Sequence, residues 1–232
     1  MTERIRGFTD LCTSAGADTF AVRKYIEENS LCAREITYAA YQLTQRYQCE
    51  RASFIYANRR APGPGELIGD GFVDLFGVLI EKGLEQGLDY MSSDGGVSEE
   101  SVLLSVLSLD NRNAALDTAR LLLDFGFDPE YRPFDRSIIE TVECDIVDAS
   151  RNGVEDRNAF ECGVYSLLLL YSYGAELRRF TVTLSDGYGR EKLREHRNLK
   201  ISKEHGIGKA EVLVSAFSDG APVARLCFNA EV

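Results

Sequence analysis

The two histidines are the first residues to consider for chemistry. His196 and His205 both lie in a basic stretch, residues 190–209. General acid–base catalysis often uses histidine, but it also requires a partner side chain held in place. We therefore expect both side chains to be exposed polar groups. The glutamates interleaved in this stretch favour a solvated, charge-mixed face for it.

Two glycine-containing segments resemble ligand-binding loops only superficially. In residues 203–210, a phosphate-binding loop would need glycine where Lys203 stands and Ser or Thr where Ala210 stands. Residues 63–69 (GPGELIG) have the wrong spacing for a dinucleotide-binding turn, and no strand clearly precedes them. We expect no catalytic residue and no cofactor.

The cysteines do not follow the spacing of a metal site. None forms a Cys-x-x-Cys pair, and no histidine lies at ligand spacing from any of them. We expect structural thiols and no bound metal. The six cysteines are Cys12, Cys32, Cys49, Cys144, Cys162 and Cys227.

Charge and hydropathy limit the classes of partner. The net charge is −11, and residues 1–177 carry 16 Lys/Arg against 30 Asp/Glu. An acidic body argues against nucleic acid, because phosphate neutralisation dominates such binding. The longest strongly apolar run, residues 164–171, is far shorter than the roughly 20 residues of a membrane span. The N-terminal residues also lack the apolar segment of a signal peptide, so we expect a cytoplasmic location and no membrane partner.

One helix ending recurs along the chain. Residues 121–127 (LLLDFGF) read as an apolar helix closed by glycine, and residues 78–84 and 169–175 repeat this pattern. A weaker copy at residues 24–30 has Asn29 in the glycine position. Glycine is favoured there because a helix commonly ends in the left-handed conformation, in which asparagine is the usual second choice. The recurrence predicts an array of repeats.

Periodicity divides the chain into a helical body and a strand-rich tail. The segment rich in proline and glycine, residues 53–71, is predicted to be a loop, and Ser98 and Asn113 are predicted N-caps. An Asp219–Gly220 turn between two strand-like runs predicts a hairpin. We therefore expect a mainly α protein with a helical body, residues 1–177, and a β-rich C-terminal cap, residues 178–232. Helices are predicted over residues 19–28, 33–48, 71–82, 98–108, 114–125, 137–149 and 159–173, and strands over 180–184, 211–217 and 222–228.

Residues 113–129 (NAALDTARLLLDFGFDP) resemble the second helix and closing turn of an ankyrin repeat. Residues 174–176 match the same ending more weakly. The chain departs from the family pattern because residues 100–103 (ESVL) replace Thr-Pro-Leu-His, and because its repeats exceed the usual length of about 33 residues. The resemblance implies an α-solenoid of stacked helix pairs that binds proteins through its loops and first helices. It implies no catalytic residues.

We therefore favour a non-catalytic scaffold that binds a protein partner. Aromatic residues and arginine often anchor interfaces, although the aromatic residues of residues 131–134 are equally expected to pack beneath their own loop. The candidate contacts are Tyr90, Tyr131, Arg132, Phe134, Arg178 and Arg179.

Two alternatives stay open. The first is an enzyme or small-ligand protein with a site between the helical body and the β segment, lined by Arg190, His196 and His205. The second is a domain that only oligomerises.

Overall fold

The computed structural model describes most of the chain and divides it into two compact units, Met1–Asp128 and Pro129–Val232. The described chain is mainly helical, and a small antiparallel sheet completes the second unit, as the sequence predicts. The described residues are 3–14, 18–60, 71–91, 97–109, 111–133, 135–151, 157–195, 199–205 and 212–228.

The N-terminal unit consists of consecutive helix pairs. The first helices of the pairs, α1, α3 and α5, contact one another in order, and so do the second helices, α2, α4 and α6. A hairpin of β1 and β2 leads directly into α5. The elements are α1 (Glu3–Thr13), α2 (Thr19–Asn29), α3 (Ala33–Asn58), α4 (Phe72–Glu81), β1 (Gly87–Met91), β2 (Val97–Ser101), α5 (Val102–Leu107) and α6 (Arg112–Asp124).

An aromatic cluster joins three helices of this unit. The Tyr47 ring of α3 lies 5.4 Å from that of Phe72, which lies 4.8 Å from that of Phe76, measured between ring centroids. All three side chains are buried. The Tyr47 hydroxyl accepts a hydrogen bond of 3.0 Å from Asn111 Nδ2. Because Asn111 is the N-cap of α6, this bond ties the start of that helix to the core.

The C-terminal unit packs a helix pair against a four-stranded antiparallel sheet with strand order β3-β6-β5-β4. The Phe228 ring of β6 lies 4.2 Å from that of Phe180 in β3 and 6.2 Å from that of Phe160 in α8. These contacts hold one face of the sheet on α8. The elements are α7 (Ile138–Arg151), α8 (Arg157–Ser172), β3 (Phe180–Leu184), α9 (Arg190–Glu195), β4 (Lys200–His205), β5 (Val212–Ser218) and β6 (Ala221–Phe228).

The second helix of each pair ends in the same way. A left-handed residue closes α2, α4, α6 and α8, with φ of 49° at Ser30, 100° at Gly83, 105° at Gly126 and 103° at Gly174. The residue after it donates its N–H back to a carbonyl five positions earlier, as in a Schellman motif. The bonds are Leu31 N–Ile26 O (3.1 Å), Leu84 N–Leu79 O (3.0 Å), Phe127 N–Leu122 O (3.1 Å) and Ala175 N–Leu170 O (3.1 Å).

The prediction that Asn29 occupies the glycine position is wrong by one residue. Asn29 is the last residue of α2, and Ser30 adopts the left-handed conformation. The apolar residues on both sides of each turn explain the register, because Ile26 and Leu31 are buried like their counterparts at the other three endings. Burial of this pair, rather than the identity of the capping residue, sets where the turn falls.

Several predicted boundaries also differ from the structure. Helix α3 continues to Asn58, so the predicted loop begins too early; residues 61–70 of that loop lie outside the described residues. Ser98 lies in β2, where it pairs with Tyr90, and Ser101 is the N-cap of α5. Asn111 rather than Asn113 caps α6. Strand pairing and tertiary contacts decide between neighbouring residues that are equally good caps by type.

The predicted tail strands are confirmed with small shifts. Asp219 and Gly220 both have positive φ, 51° and 82°, as the predicted two-residue turn requires. The structure adds α9 and β4, and it also adds α1 and the β1–β2 hairpin near the N-terminus, none of which was predicted. Strands begin at Phe180, near the predicted domain boundary at residue 177. The compact unit that contains the sheet begins earlier, at Pro129, and includes α7 and α8.

Among the described residues, no helix combines the length and the apolar character needed to cross a membrane.

The recurring turn leads to a stability prediction. Nothing lies within 4 Å of a Cβ placed on Gly126, so Gly126→Ala should cost only the left-handed backbone strain, about 1–2 kcal/mol. Ser30→Gly should instead stabilise the protein by up to about 1 kcal/mol, because it relieves that strain at α2. Urea unfolding measures both changes.

Gly77→Ala is the matched control. Gly77 lies inside α4 and its Cβ position is also open, but its φ is not left-handed, so alanine should stabilise the helix by about 0.5–1 kcal/mol. Equal effects of alanine at positions 77 and 126 would contradict the explanation.

Candidate interaction surface

The described residues of two loops of the C-terminal unit, 129–133 with 135–137 and 174–179, form one surface, which we call the two-loop surface. Glu130 Oε1 accepts a hydrogen bond of 2.5 Å from the backbone N–H of Glu176, which links one loop to the other. The loops precede α7 and follow α8, and these two helices pack together. The helix pair therefore brings together residues more than forty positions apart in the chain.

The first turn of α7 positions a carboxylate under these loops. Ser137 and Glu140 form a capping box: Glu140 N donates to Ser137 Oγ (3.4 Å), and Ser137 N donates to Glu140 Oε2 (2.7 Å). The backbone N–H of Ile138 donates to the carbonyl of Tyr131 at 2.9 Å, which fixes the chain leading into the helix. Helix capping thus determines where the Glu140 carboxylate lies.

Glu140 bridges two arginines, one from each loop. Arg132 Nη2 lies 3.7 Å from Glu140 Oε2, and Arg178 Nη1 donates to Glu140 Oε1. The two arginine side chains are half exposed, whereas that of Glu140 is 19% exposed. The carboxylate therefore lies on the inner side of the bridge, with the guanidinium groups at the surface.

The surroundings of Glu140 favour its ionised form. Its pKa lies below the ordinary value of 4.5, first because the backbone N–H of Ser137 donates to the carboxylate. Desolvation opposes this effect. The Ser137 hydroxyl and the positive charges of Arg178 and Arg132 lower the pKa further.

A second carboxylate of α7 holds the other loop from beneath. Glu143 is fully buried, and its Oε1 accepts hydrogen bonds of 2.9 Å from the backbone N–H groups of both Arg178 and Arg179. Its Oε2 has no hydrogen-bond partner among the described residues. A buried carboxylate is costly unless it is hydrogen-bonded, so these two bonds strongly determine the path of the loop.

The structure joins two of the six predicted contacts, Arg132 and Arg178, through Glu140, and Arg179 follows Arg178 in the same loop. The side chain of Arg179 is exposed and has no polar partner within the described part of the chain. Tyr131 is half-buried beside Arg132 in the chain. Tyr90 lies in β1 of the other unit and its side chain is outside the described residues, as is the whole of Phe134.

Sequence reasoning missed three residues of this surface. Arg136 is exposed, and its Nη1 lies 3.6 Å from Cys144 Sγ. Glu140 could have been found, because Ser137 and Glu140 have the Ser-x-x-Glu spacing of a capping box. Glu143 has no sequence signal that separates it from the other helical carboxylates.

Of the three residues proposed for the alternative site, Arg190 has a described side-chain contact, and its neighbour Arg194 in α9 has a similar one. The Arg190 guanidinium lies 4.0 Å from the centroid of the Tyr171 ring, and that of Arg194 lies 4.5 Å from the centroid of the Tyr173 ring. Both arginines hold α9 against the end of α8. His196 and the His205 side chain lie outside the described residues, so that site stays a prediction.

The described His, Cys, Asp and Glu side chains include no group of three or more that could hold a metal ion. The six cysteines are free thiols, and burial raises the pKa of the Cys12 thiol to about 12. That thiol is therefore unreactive at neutral pH.

Comparison of the chain with protein-family models, curated proteins and solved structures finds no match.

The buried carboxylate gives a second stability prediction. Glu143→Ala should destabilise the protein by about 2–4 kcal/mol, because two backbone N–H groups lose a charged acceptor. Glu143→Gln should cost less, since an amide oxygen can still accept. Urea unfolding provides the measurement.

Asp145→Ala on the same helix is the control. Desolvation and the neighbouring Asp148 raise the pKa of the Asp145 carboxyl, so its charge does not stabilise the fold. A loss of stability equal to that of Glu143→Ala would contradict the role assigned to Glu143.

Glu140 gives a prediction for pH. Its pKa is lowered in the folded state, so its ionised form stabilises the protein above about pH 4.5, and this contribution is lost as the pH falls through the folded-state value. Wild type should be more stable than Glu140→Gln at pH 7, and the difference should shrink towards pH 3. Urea unfolding of both proteins from pH 7 to pH 3 measures this difference. A constant difference between wild type and Glu140→Gln would contradict the role assigned to the Glu140 charge.

Proposed function

We propose that this protein is a non-catalytic interaction scaffold that binds a protein partner through the two-loop surface. The observation that carries the proposal is the meeting of Arg132 and Arg178 at Glu140, with Arg179 next to Arg178 in the chain. Their positions are set by helix α7 through Glu140 and Glu143. Arginine is enriched at interface hot spots, and preorganisation reduces the entropy that binding would cost.

We also propose that the helical part is an ankyrin-like solenoid. The regular order of contacts in the N-terminal unit supports this, with first helices contacting first helices and second helices contacting second helices. The Schellman ending of every second helix supports it as well. The left-handed residues that end the repeats lie 53, 43 and 48 positions apart by subtraction. The ankyrin-like repeats that we propose are therefore unequal in length.

A second recurring contact favours the repeat architecture. Two residues after Gly126, the N–H of Asp128 donates to Gln86 Oε1 at 2.8 Å, and Gln86 itself follows Gly83 closely. Two residues after Gly174, the N–H of Glu176 donates in the same way to Glu130, which follows Gly126. In both cases a backbone N–H of one loop donates to a side chain of the loop one repeat earlier. Such contacts between neighbouring repeats are expected when repeats stack in a row.

A cytoplasmic location belongs to this proposal. The exposed thiols of Cys32 and Cys49 are compatible with a reducing compartment, where disulfides are rare.

The test is quantitative capture of partners from the native cell with full-length protein as bait. The double variant Arg132→Ala/Arg179→Ala should reduce the amount of the main captured protein by about tenfold or more, which corresponds to loss of one good anchor. Thermal stability should change little, because the two side chains are exposed and, among the described residues, they form one ion pair, the loose Arg132–Glu140 contact.

Arg59→Ala/Arg60→Ala is the matched control, since it removes the same charge from exposed residues of the N-terminal unit. Unchanged capture with the Arg132/Arg179 variant, or an equal loss with the control, would remove the two-loop surface from the proposal.

A further inference from the structure

The outward charge of the two-loop surface differs from that of the protein as a whole. The chain carries a net charge of −11. On this surface four arginines are exposed, against two exposed carboxylates, Asp135 and Glu176, and the half-buried carboxylate of Glu130. The carboxylates of Glu140 and Glu143 lie beneath, being mostly and fully buried. The exposed side chains are thus net positive in an acidic protein. The four arginines are Arg132, Arg136, Arg178 and Arg179.

Within the described part of the chain, Arg132 and Arg178 do not use all of their hydrogen-bond donors. Each guanidinium has five N–H donors, and Arg132 and Arg178 share the single carboxylate of Glu140. That carboxylate also accepts from Ser137 N, so its oxygens are divided among three donors. The Arg132 contact is the loosest of them at 3.7 Å. A ligand carboxylate could therefore pair with these arginines without breaking a well-formed bidentate pair.

The backbone that carries two of these arginines is also held in place. Glu143 fixes the backbone of Arg178 and Arg179, and the capping box of α7 fixes Glu140. Spaced guanidinium groups of this kind recognise carboxylates by charge-assisted, bidentate hydrogen bonds.

We propose that the partner segment that binds the two-loop surface is an acidic polypeptide, whose carboxylates pair with Arg132, Arg178 and Arg179 in competition with Glu140. This inference rests on the function proposed above and specifies the chemistry of the partner. A polypeptide is favoured over nucleic acid because the strongly negative protein would repel a continuous polyanion, whereas a short acidic segment can pair with the exposed arginines of this one surface.

The decisive variant is Glu140→Gln. Glutamine preserves the capping box but removes the internal competitor for the two arginines. Binding of a labelled glutamate-rich peptide to the full-length chain should therefore tighten by about threefold to tenfold, as expected for loss of one nearby like charge. A residue with a merely structural role would leave affinity unchanged or weaken it.

The opposite change is expected when the arginines are removed. Arg132→Ala/Arg179→Ala should weaken peptide binding by about tenfold or more, and Arg59→Ala/Arg60→Ala should leave it within about twofold. The affinity should fall as salt is raised, and the same peptide with glutamine in place of glutamate should not bind. Thermal unfolding of each variant verifies that the fold is retained.

Weaker peptide binding by a folded Glu140→Gln variant would overturn the inference. So would binding of the glutamine peptide as tight as that of the glutamate peptide. A third contradicting result is single-stranded RNA of matched charge that binds through the arginines more tightly than the glutamate peptide does. If the peptide fails to bind while partner capture still requires Arg132 and Arg179, only the acidic chemistry is wrong. If capture is also independent of these arginines, the proposed function fails with it.

Discussion

The constraint on which this structure depends is the closed turn at the end of every second helix. Each turn requires a left-handed residue, and each places one apolar side chain before the turn and one after it into the core, as Leu122 and Phe127 do at the end of α6. The backbone bond between them satisfies groups that the end of a helix would otherwise leave unpaired. The turn therefore ends the helix, anchors the following loop and sets its direction of exit.

The loops that leave these turns carry the polar contacts of the candidate surface. A short capping box and one buried carboxylate are enough to arrange three arginines from two loops. Burial of Glu143 lowers the stability of the fold, because its Oε2 lacks a hydrogen-bond partner among the described residues. Its two bonds to consecutive backbone N–H groups act on the loop that carries Arg178 and Arg179, which agrees with a role in positioning the proposed binding groups.

Local patterns predicted the features that depend on few residues. The Asp219–Gly220 hairpin and the glycine endings of α4, α6 and α8 need only a residue tolerant of positive φ between apolar runs, and all were located correctly. The hairpin of β1 and β2 was missed because its residues, such as those around Ser98, also fit the start of a helix. Pairing with a neighbouring strand decides such cases, and a single-residue propensity cannot.

Local periodicity and backbone preference are sufficient to predict the mainly helical character, the recurring helix ending and the change to strands after α8. The closure of α2 at Ser30 depends instead on packing, since the burial of Ile26 and Leu31 selects the register. Tertiary structure also joins Arg132 to Arg178 through Glu140, because their proximity depends on the packing of α7 against α8 across more than forty residues of chain. Residue types identified possible anchors, and helix packing selected those that share a surface.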